Sequence, residues 1–365
     1  MSARPALQLL RQHWRHTRPL LLLAATATAE WPGISAAGAT PASRRLTAAA
    51  DAELLLLGPE GRRPHGLPSL PAGVSPALLS HAGLRELGLL PRLRMVDLGC
   101  PVAPAATHLR LPAAEGTGAA ACVSTGQAMG PERVLALLER GRGWGCRWPQ
   151  QEPLLLAECV PAGTTTALAV LEGLGIAAAG LVSGSLRQPA HGLKAQLVAQ
   201  GLQAAGLQPP AAPLAVLAAV GDPMQALAAG LVLELAARAV PVLLGGGSQM
   251  AAVLALALAL TPPEQRPLLA SQTIVATTAW LAEEAGSDLA RLLQRIGDRF
   301  GVELQLKAAA LRFHHCRSQQ LRDYERGYVK EGVGAGGVGV LWELAGRDPA
   351  ELALACDDDC ARLPT

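Results

Sequence analysis

Glu331 opens the run Glu331-Gly332-Val333-Gly334-Ala335-Gly336-Gly337. A carboxylate followed by glycines can be brought against a small reactant and take a proton from it, while the bare backbone leaves the reactant room. A second carboxylate, Glu158, closes an apolar run and is followed by Cys159-Val160-Pro161-Ala162-Gly163-Thr164-Thr165-Thr166. Such a turn into a helix offers N–H groups and hydroxyls to a phosphate or carboxylate; an ordinary helix cap has the same composition. It lacks the Gly-Lys-Ser/Thr ending of a P-loop. Leu243-Leu244-Gly245-Gly246-Gly247-Ser248 repeats the pattern, with Ser248 placed to cap a helix. Without GxGxxG and a distal acid it does not read as a dinucleotide site, and a tight turn explains it equally. Glu158 reads as a solvated strand end or as a desolvated acid of raised pKa, and Glu331 as a base or as a helix-start acid. Lys194, one of three lysines, follows the glycine- and arginine-rich loop that begins at Gly184 and suits a phosphate or solvent.

From residue 154 onward, apolar runs alternate with helical patterns, the signature of an α/β fold with a parallel, doubly wound, Rossmann-like sheet. Strands are expected at 154–159, 179–183, 214–220, 241–244, 273–276 and 304–308. Helices are expected at 164–174, near 192–204, from Asp222-Pro223, and after Ser248. In such a sheet the loops that follow the strands gather at one edge, where ligands bind. The first half is richer in Pro and Gly, with strand signals at 54–57 and 95–98. It reads as residues 1–110, part in the main sheet and part in a smaller helical subdomain, followed by an α/β domain at 111–350 and a loosely held tail at 351–365.

Half of the 365 residues are hydrophobic and 16% are charged, so most of the chain must fold. A net charge of +2 and 3% aromatics give no footprint for a nucleic-acid partner. The seven cysteines are odd in number, irregular in spacing and lack a CxxC pair, as in a reduced cytoplasmic protein. His314-His315-Cys316 and Cys356-Asp357-Asp358-Asp359-Cys360 have soft metal ligands; an ordinary strand and a solvated acidic tail are the preferred readings, and no metal is assigned. Residues 11–29 imitate a secretory signal, but the apolar stretch is short, and a helix leading into a buried strand fits better. The apolar region 214–260 is cut by charges, prolines and glycines into pieces too short to span a membrane.

Taken in order, several segments resemble the nicotinate-nucleotide:dimethylbenzimidazole phosphoribosyltransferase family, and more closely its archaeal and cyanobacterial branch. They are Glu158 with Gly163-Thr164-Thr165, Val182-Ser183-Gly184, Lys194, Val242 to Ser248, and Glu331 to Gly336. Ala29 to Thr40 and Pro71 to Pro76 add to them. The resemblance spans roughly residues 20–345. It implies a homodimer that moves the ribose phosphate of nicotinate mononucleotide to an aromatic base, dimethylbenzimidazole or a purine such as adenine, and releases nicotinate. The product is a lower-ligand nucleotide of cobamides, and no cofactor is implied. By the match, Glu331 is the general base and Glu158 a second acid. Gly163, Thr164, Thr165, Thr166, Gly184, Lys194, Gly245, Gly246, Gly247, Ser248, Gly332 and Gly334 line the substrate site. Thr164 stands where the bacterial branch has Asn, and the His-rich segment of that branch is absent near Thr277-Thr278-Ala279-Trp280. A non-catalytic nucleotide-binding protein of the same fold is the alternative.

Overall fold

Short apolar segments bury both faces only by pairing with one another beneath two helical layers. In the computed structural model seven of them form one all-parallel sheet, ordered β3-β2-β1-β4-β5-β6-β7. The strands are β1 (Arg18–Leu23), β2 (Arg94–Asp97), β3 (Leu109–Arg110), β4 (Leu154–Cys159), β5 (Val242–Gly245), β6 (Thr273–Thr278) and β7 (Gln305–Ala309). The structure describes residues 6–112 and 118–364. Residues 1–5, 113–117 and Thr365 lie outside the described residues, as do the parts of the expected N-terminal segment, α/β domain and tail that fall on them. Strand order reverses between β1 and β4, where an open parallel sheet leaves a crevice beyond the strand ends.

Alternation along each strand sends side chains to two cores. Leu20, Leu22, Leu154, Leu156, Leu244 and Val275 face one layer, built from helices that include Pro131–Arg147, Gly163–Gly173, Pro223–Ala237 and Ser248–Leu260. Leu21, Leu23, Leu155, Leu243 and Ile274 face the other. There the helices Ala6–His13, Pro41–Leu57 and Ala77–Glu86 join Ala335–Leu344 and Pro349–Ala361 from the far end of the chain. Among the described residues no helix is long and apolar enough to cross a membrane.

Several expected elements are different. Residues 54–57 end a 17-residue helix that starts at a capping box between Thr40 and Ser43. Residues 214–220 are helical from Pro213: a short apolar run does not distinguish strand from buried helix, and its alanines favour the helix. Residues 179–183 stay out of the sheet, because β4 pairs directly with β5 and Gly180 turns the chain at φ +76°. His314 to Cys316 form a loop, not a strand. The expected tail is instead the helix Pro349–Ala361, with Leu352 and Cys356 fully buried. Asp357 accepts from the backbone N–H groups of Arg317 and Ser318, so the acidic run is a docking element and not a solvated end. Against its desolvation, the Ser318 hydroxyl first, then these two N–H groups and the Arg317 side chain, hold the Asp357 carboxyl down at about 2. Among the described residues no group of three or more His, Cys, Asp or Glu is placed to hold a metal.

The helix Ala335–Leu344 comes so close to the sheet that only glycine fits at positions 336 and 337 of its first turn. A Cβ on Gly337 would fall 2.5 Å from Leu155 Cδ1 and 2.7 Å from Gly245 Cα. Forcing atoms into such a packed contact costs about 1–3 kcal/mol or more. Gly337→Ala is therefore expected to lower the denaturant midpoint by a destabilisation of about that size. An unchanged midpoint in a urea titration would show that the helix can lift off the sheet without loss.

Candidate active site

The strand ends open into a cavity of about 710 Å³. Its wall includes Glu158 to Thr164, Ser183 to Arg187, Gly247 to Gln249, Tyr328 to Val333, Asp51 and the loop from Leu67 to Pro76. Two helix starts adjoin here: a Cβ on Gly163 would lie 2.3 Å from Gln249 Nε2. The residues preceding these helices, Ala162 and Gly247, make no side-chain cap. By contrast, Thr40 and Asp222 cap their helices with side-chain oxygens.

Glu331 is held by four donors. Oε1 accepts from the N–H groups of Gly332 and Gly336, both at 3.0 Å; Oε2 accepts from Thr277 Oγ1 and the Thr278 N–H, both at 2.9 Å. Burial pushes its pKa up, and these four hydrogen bonds oppose the shift. For Glu158, among the described residues, the Val160 N–H is the group that favours its charged form. Desolvation first, then Asp222, with a smaller push from Glu331, raise it to about 8. Asp222 is itself fully buried and accepts from Thr166 Oγ1 at 2.5 Å and Gln249 Nε2 at 3.0 Å.

Behind the opposite wall runs a chain of buried charges. Lys194 Nζ donates to Thr164 Oγ1 at 2.9 Å and to the Ser183 carbonyl, and desolvation lowers its pKa to about 7. The Ser183 hydroxyl donates to Glu284, which forms an ion pair with Lys330; both partners are almost completely buried. Lys330 Nζ also donates to the Leu186 carbonyl at 2.8 Å. This pair ties the segment carrying Glu331 to the loop carrying Ser183 and Gly184. The tie is needed because Val329, Lys330 and Val333 have φ of 63°, 68° and 51°, costly for any side chain and most of all for the two valines, branched at Cβ.

A phosphoribosyltransferase family model (DBI_PRT) matches residues 89–285. The UPF0284 protein of Parasynechococcus marenigrum is 54% identical over 343 residues, covering 93% of this chain and 85% of the relative. That of Prochlorococcus marinus (strain MIT 9313) is 51% identical over 93% of this chain and 84% of its own length. The chain belongs to this phosphoribosyltransferase family. The fold agrees with a crystal structure of the nicotinate-nucleotide-dimethylbenzimidazole phosphoribosyltransferase from Thermus thermophilus: TM-score 0.56 at 20% identity, over 93% of this chain and 83% of that one. The structure of CobT from the same organism gives 0.58 at 20%, over 96% and 90%. The family match includes Glu158, Lys194 and the glycine loop at Gly245; Asp51 and Glu331 lie beyond it.

Within this family member, the expected site residues divide. Glu158, Gly163, Thr164, Gly184, Gly247, Ser248, Glu331 and Gly332 line the cavity, with Lys194 directly behind Thr164 and Gly184. The structure does not bring Thr165, Thr166, Gly245, Gly246 or Gly334 to the cavity wall. Thr165 is fully buried, and Thr166 serves Asp222. Gly245 and Gly334 pack backbone to backbone. Ser248 does not cap its helix; its hydroxyl accepts the Ser183 N–H at 3.0 Å. The glycines after Glu331 make room for the sheet: a Cβ on Gly336 would fall 2.2 Å from the Thr277 carbonyl carbon. Asp51, Asp222, Thr277 and Glu284 were not legible as site residues. Asp222 shows a capping signal, but nothing in the sequence pairs Glu284 with Lys330.

The Glu158 carboxyl titrates near 8 when folded and near 4.5 when free. The native state therefore holds the extra proton between these values. The stabilisation is complete below about pH 4.5 and is lost as pH rises through about 8. Glu158→Gln removes this titration. At pH 9 the variant is expected to exceed wild type in stability by on the order of 1 kcal/mol or more, with the difference shrinking toward pH 5. Denaturant titrations across that range check the slope; parallel curves for the two proteins would rule out a raised Glu158.

Proposed function

We propose that the chain moves the ribose phosphate of nicotinate mononucleotide onto a ring nitrogen of an azole or purine base, releasing nicotinate. One observation carries this reading. Two helix starts without side-chain caps, backed by Lys194, open on the same cavity as Glu158 and Glu331. Helix-start N–H groups and a buried lysine suit a phosphate, although the Gly163 and Thr165 N–H groups already donate to the Val160 and Ala162 carbonyls; paired carboxyls suit a cationic sugar and a proton in transit.

In this reaction the base nitrogen's lone pair forms the new bond to the anomeric carbon. The old carbon–nitrogen bond breaks, and its electrons neutralise the pyridinium ring, which leaves as nicotinate. The base's N–H proton passes to Glu331. Glu331 suits this role because its four donors favour the ionised form. Thr277 must rotate its hydroxyl away to free one lone pair on Oε2. Glu158, protonated near neutral pH, lies beside the developing positive charge as a second acid. The phosphate is held near Thr164, Gly184 and Ser248.

The second reading, a nucleotide-binding protein without turnover, is favoured by one fact. Every acceptor position of the Glu331 carboxylate is already taken. Nicotinate release from nicotinate mononucleotide, assayed with and without a panel of bases, separates the two; binding without release leaves only the second.

Two variants test the roles of the carboxyls, and a third that of the lysine. Glu331→Gln removes the proton acceptor, so kcat is expected to fall about 10²–10⁴-fold with little change in nucleotide affinity. Glu158→Gln is expected to cost less at pH 7; a larger loss there than in Glu331→Gln exchanges the two roles. Lys194→Gln removes the buried cation behind the phosphate wall, and KM for the nucleotide is expected to rise about 10-fold or more while kcat changes less. A KM unchanged by Lys194→Gln places the phosphate elsewhere.

A further inference from the structure

The reaction above leaves one carboxylate of the cavity wall unused. Asp51 lies on the helix Pro41–Leu57 and is 6% exposed. One of its oxygens accepts from Ser75 Oγ at 2.6 Å. The other has the Cys159 thiol at 3.5 Å, a weak donor. Asp51 makes no ion pair among the described residues, and burial lifts its carboxyl to about 6. The cavity wall also carries the apolar residues Leu67, Leu70, Val74 and Pro76, with the hydroxyls of Thr47 and Ser75 among them.

Glu158 and Cys159 are successive residues of β4 and point to opposite faces of the sheet. Asp51, packed against Cys159, therefore stands across the strand end from Glu158. A flat ring held between the two would have its reacting nitrogen at the acids of the reaction and another edge toward Asp51. A buried carboxylate oxygen with only a thiol for company is costly unless a ligand supplies a donor.

We infer that Asp51 selects the acceptor base, by taking a hydrogen bond from an N–H of the acceptor other than the one the reaction consumes. The base it favours is a bicyclic azole with an exocyclic amine, an aminopurine, over one bearing only methyl groups. This rests on the cavity being the site of base ribosylation proposed above. An amine meets an acceptor in Asp51; a methyl leaves that oxygen without a donor. A site built to hydrogen-bond one ligand discriminates against the analogue lacking the group by far more than its shape alone does.

The test uses two probes, adenine and dimethylbenzimidazole, with nicotinate mononucleotide and the full chain. The quantity read is the ratio of kcat/KM for adenine to that for dimethylbenzimidazole, in which any shared loss from impaired folding cancels. Wild type is expected to favour adenine by about 10-fold or more. Asp51→Ala, which removes both oxygens, is expected to lower the ratio about 10–100-fold. Asp51→Asn, which keeps one acceptor oxygen, should fall between them. A wild-type preference for dimethylbenzimidazole, or a ratio unchanged in Asp51→Ala, overturns the inference and leaves Asp51 as a clamp for Ser75. If wild type turns over neither base, the reaction reading fails separately. Equilibrium binding of the two probes to the nucleotide-loaded protein then decides for Asp51. A binding preference for adenine that Asp51→Ala abolishes supports it, and equal binding by wild type overturns it.

Discussion

The four-donor cradle of Glu331 constrains the whole edge of the sheet. Its donors come from two segments far apart in sequence: Thr277 and Thr278 at the end of β6, and Gly332 and Gly336 beside the carboxylate itself. They converge only if the helix Ala335–Leu344 starts almost in contact with β5 and β6. That contact demands glycine at positions 336 and 337, and Gly245 across from them. The same approach drives residues 329, 330 and 333 into left-handed backbone. The strain is held in place by the buried Lys330–Glu284 pair, which reaches across to Ser183 and Leu186. The cradle, the glycines and the ion pair thus depend on one another.

Much of this was visible in the sequence, though not for the reasons the sequence suggested. β1, β2 and β4 to β7 were legible as short runs bounded by turns, most of them apolar, although such a run alone does not separate a strand from a buried helix. The glycines after Glu331 stood out, but their composition cannot distinguish space for a reactant from space for a sheet, and most of them serve the sheet. The apolar runs at 54–57 and 214–220 were misread because an unbroken apolar run shows neither period in the sequence, even though Leu57 and Leu214 are exposed in their helices. The C-terminal helix was missed because its three aspartates look solvated. Asp357 is instead satisfied by backbone N–H groups forty and thirty-nine residues away, a pairing that only the tertiary fold creates. Glu284 and Lys330 were invisible for the same reason: an ion pair between residues 46 apart leaves no local pattern.

The distribution of charge around the cavity fits the proposed reaction more closely than any single residue does. Lys194 lies on the side of the two helix starts, where a phosphate would neutralise a cation whose pKa desolvation has already lowered. Asp51, Glu158 and Glu331 all have raised pKa values, with desolvation the first cause in each. An empty cavity therefore holds acids that resist ionising and a lysine that resists protonation. A substrate with a phosphate at one end and a pyridinium at the other would relieve both penalties together. As the glycosidic bond loosens, positive charge moves from the pyridinium onto the sugar carbon, nearer the carboxyls, and their ionised forms become progressively more favourable. On that reading the carboxyls are least stable as anions in the empty state and most stable as anions at the transition state, which is the order that differential binding requires of a catalyst.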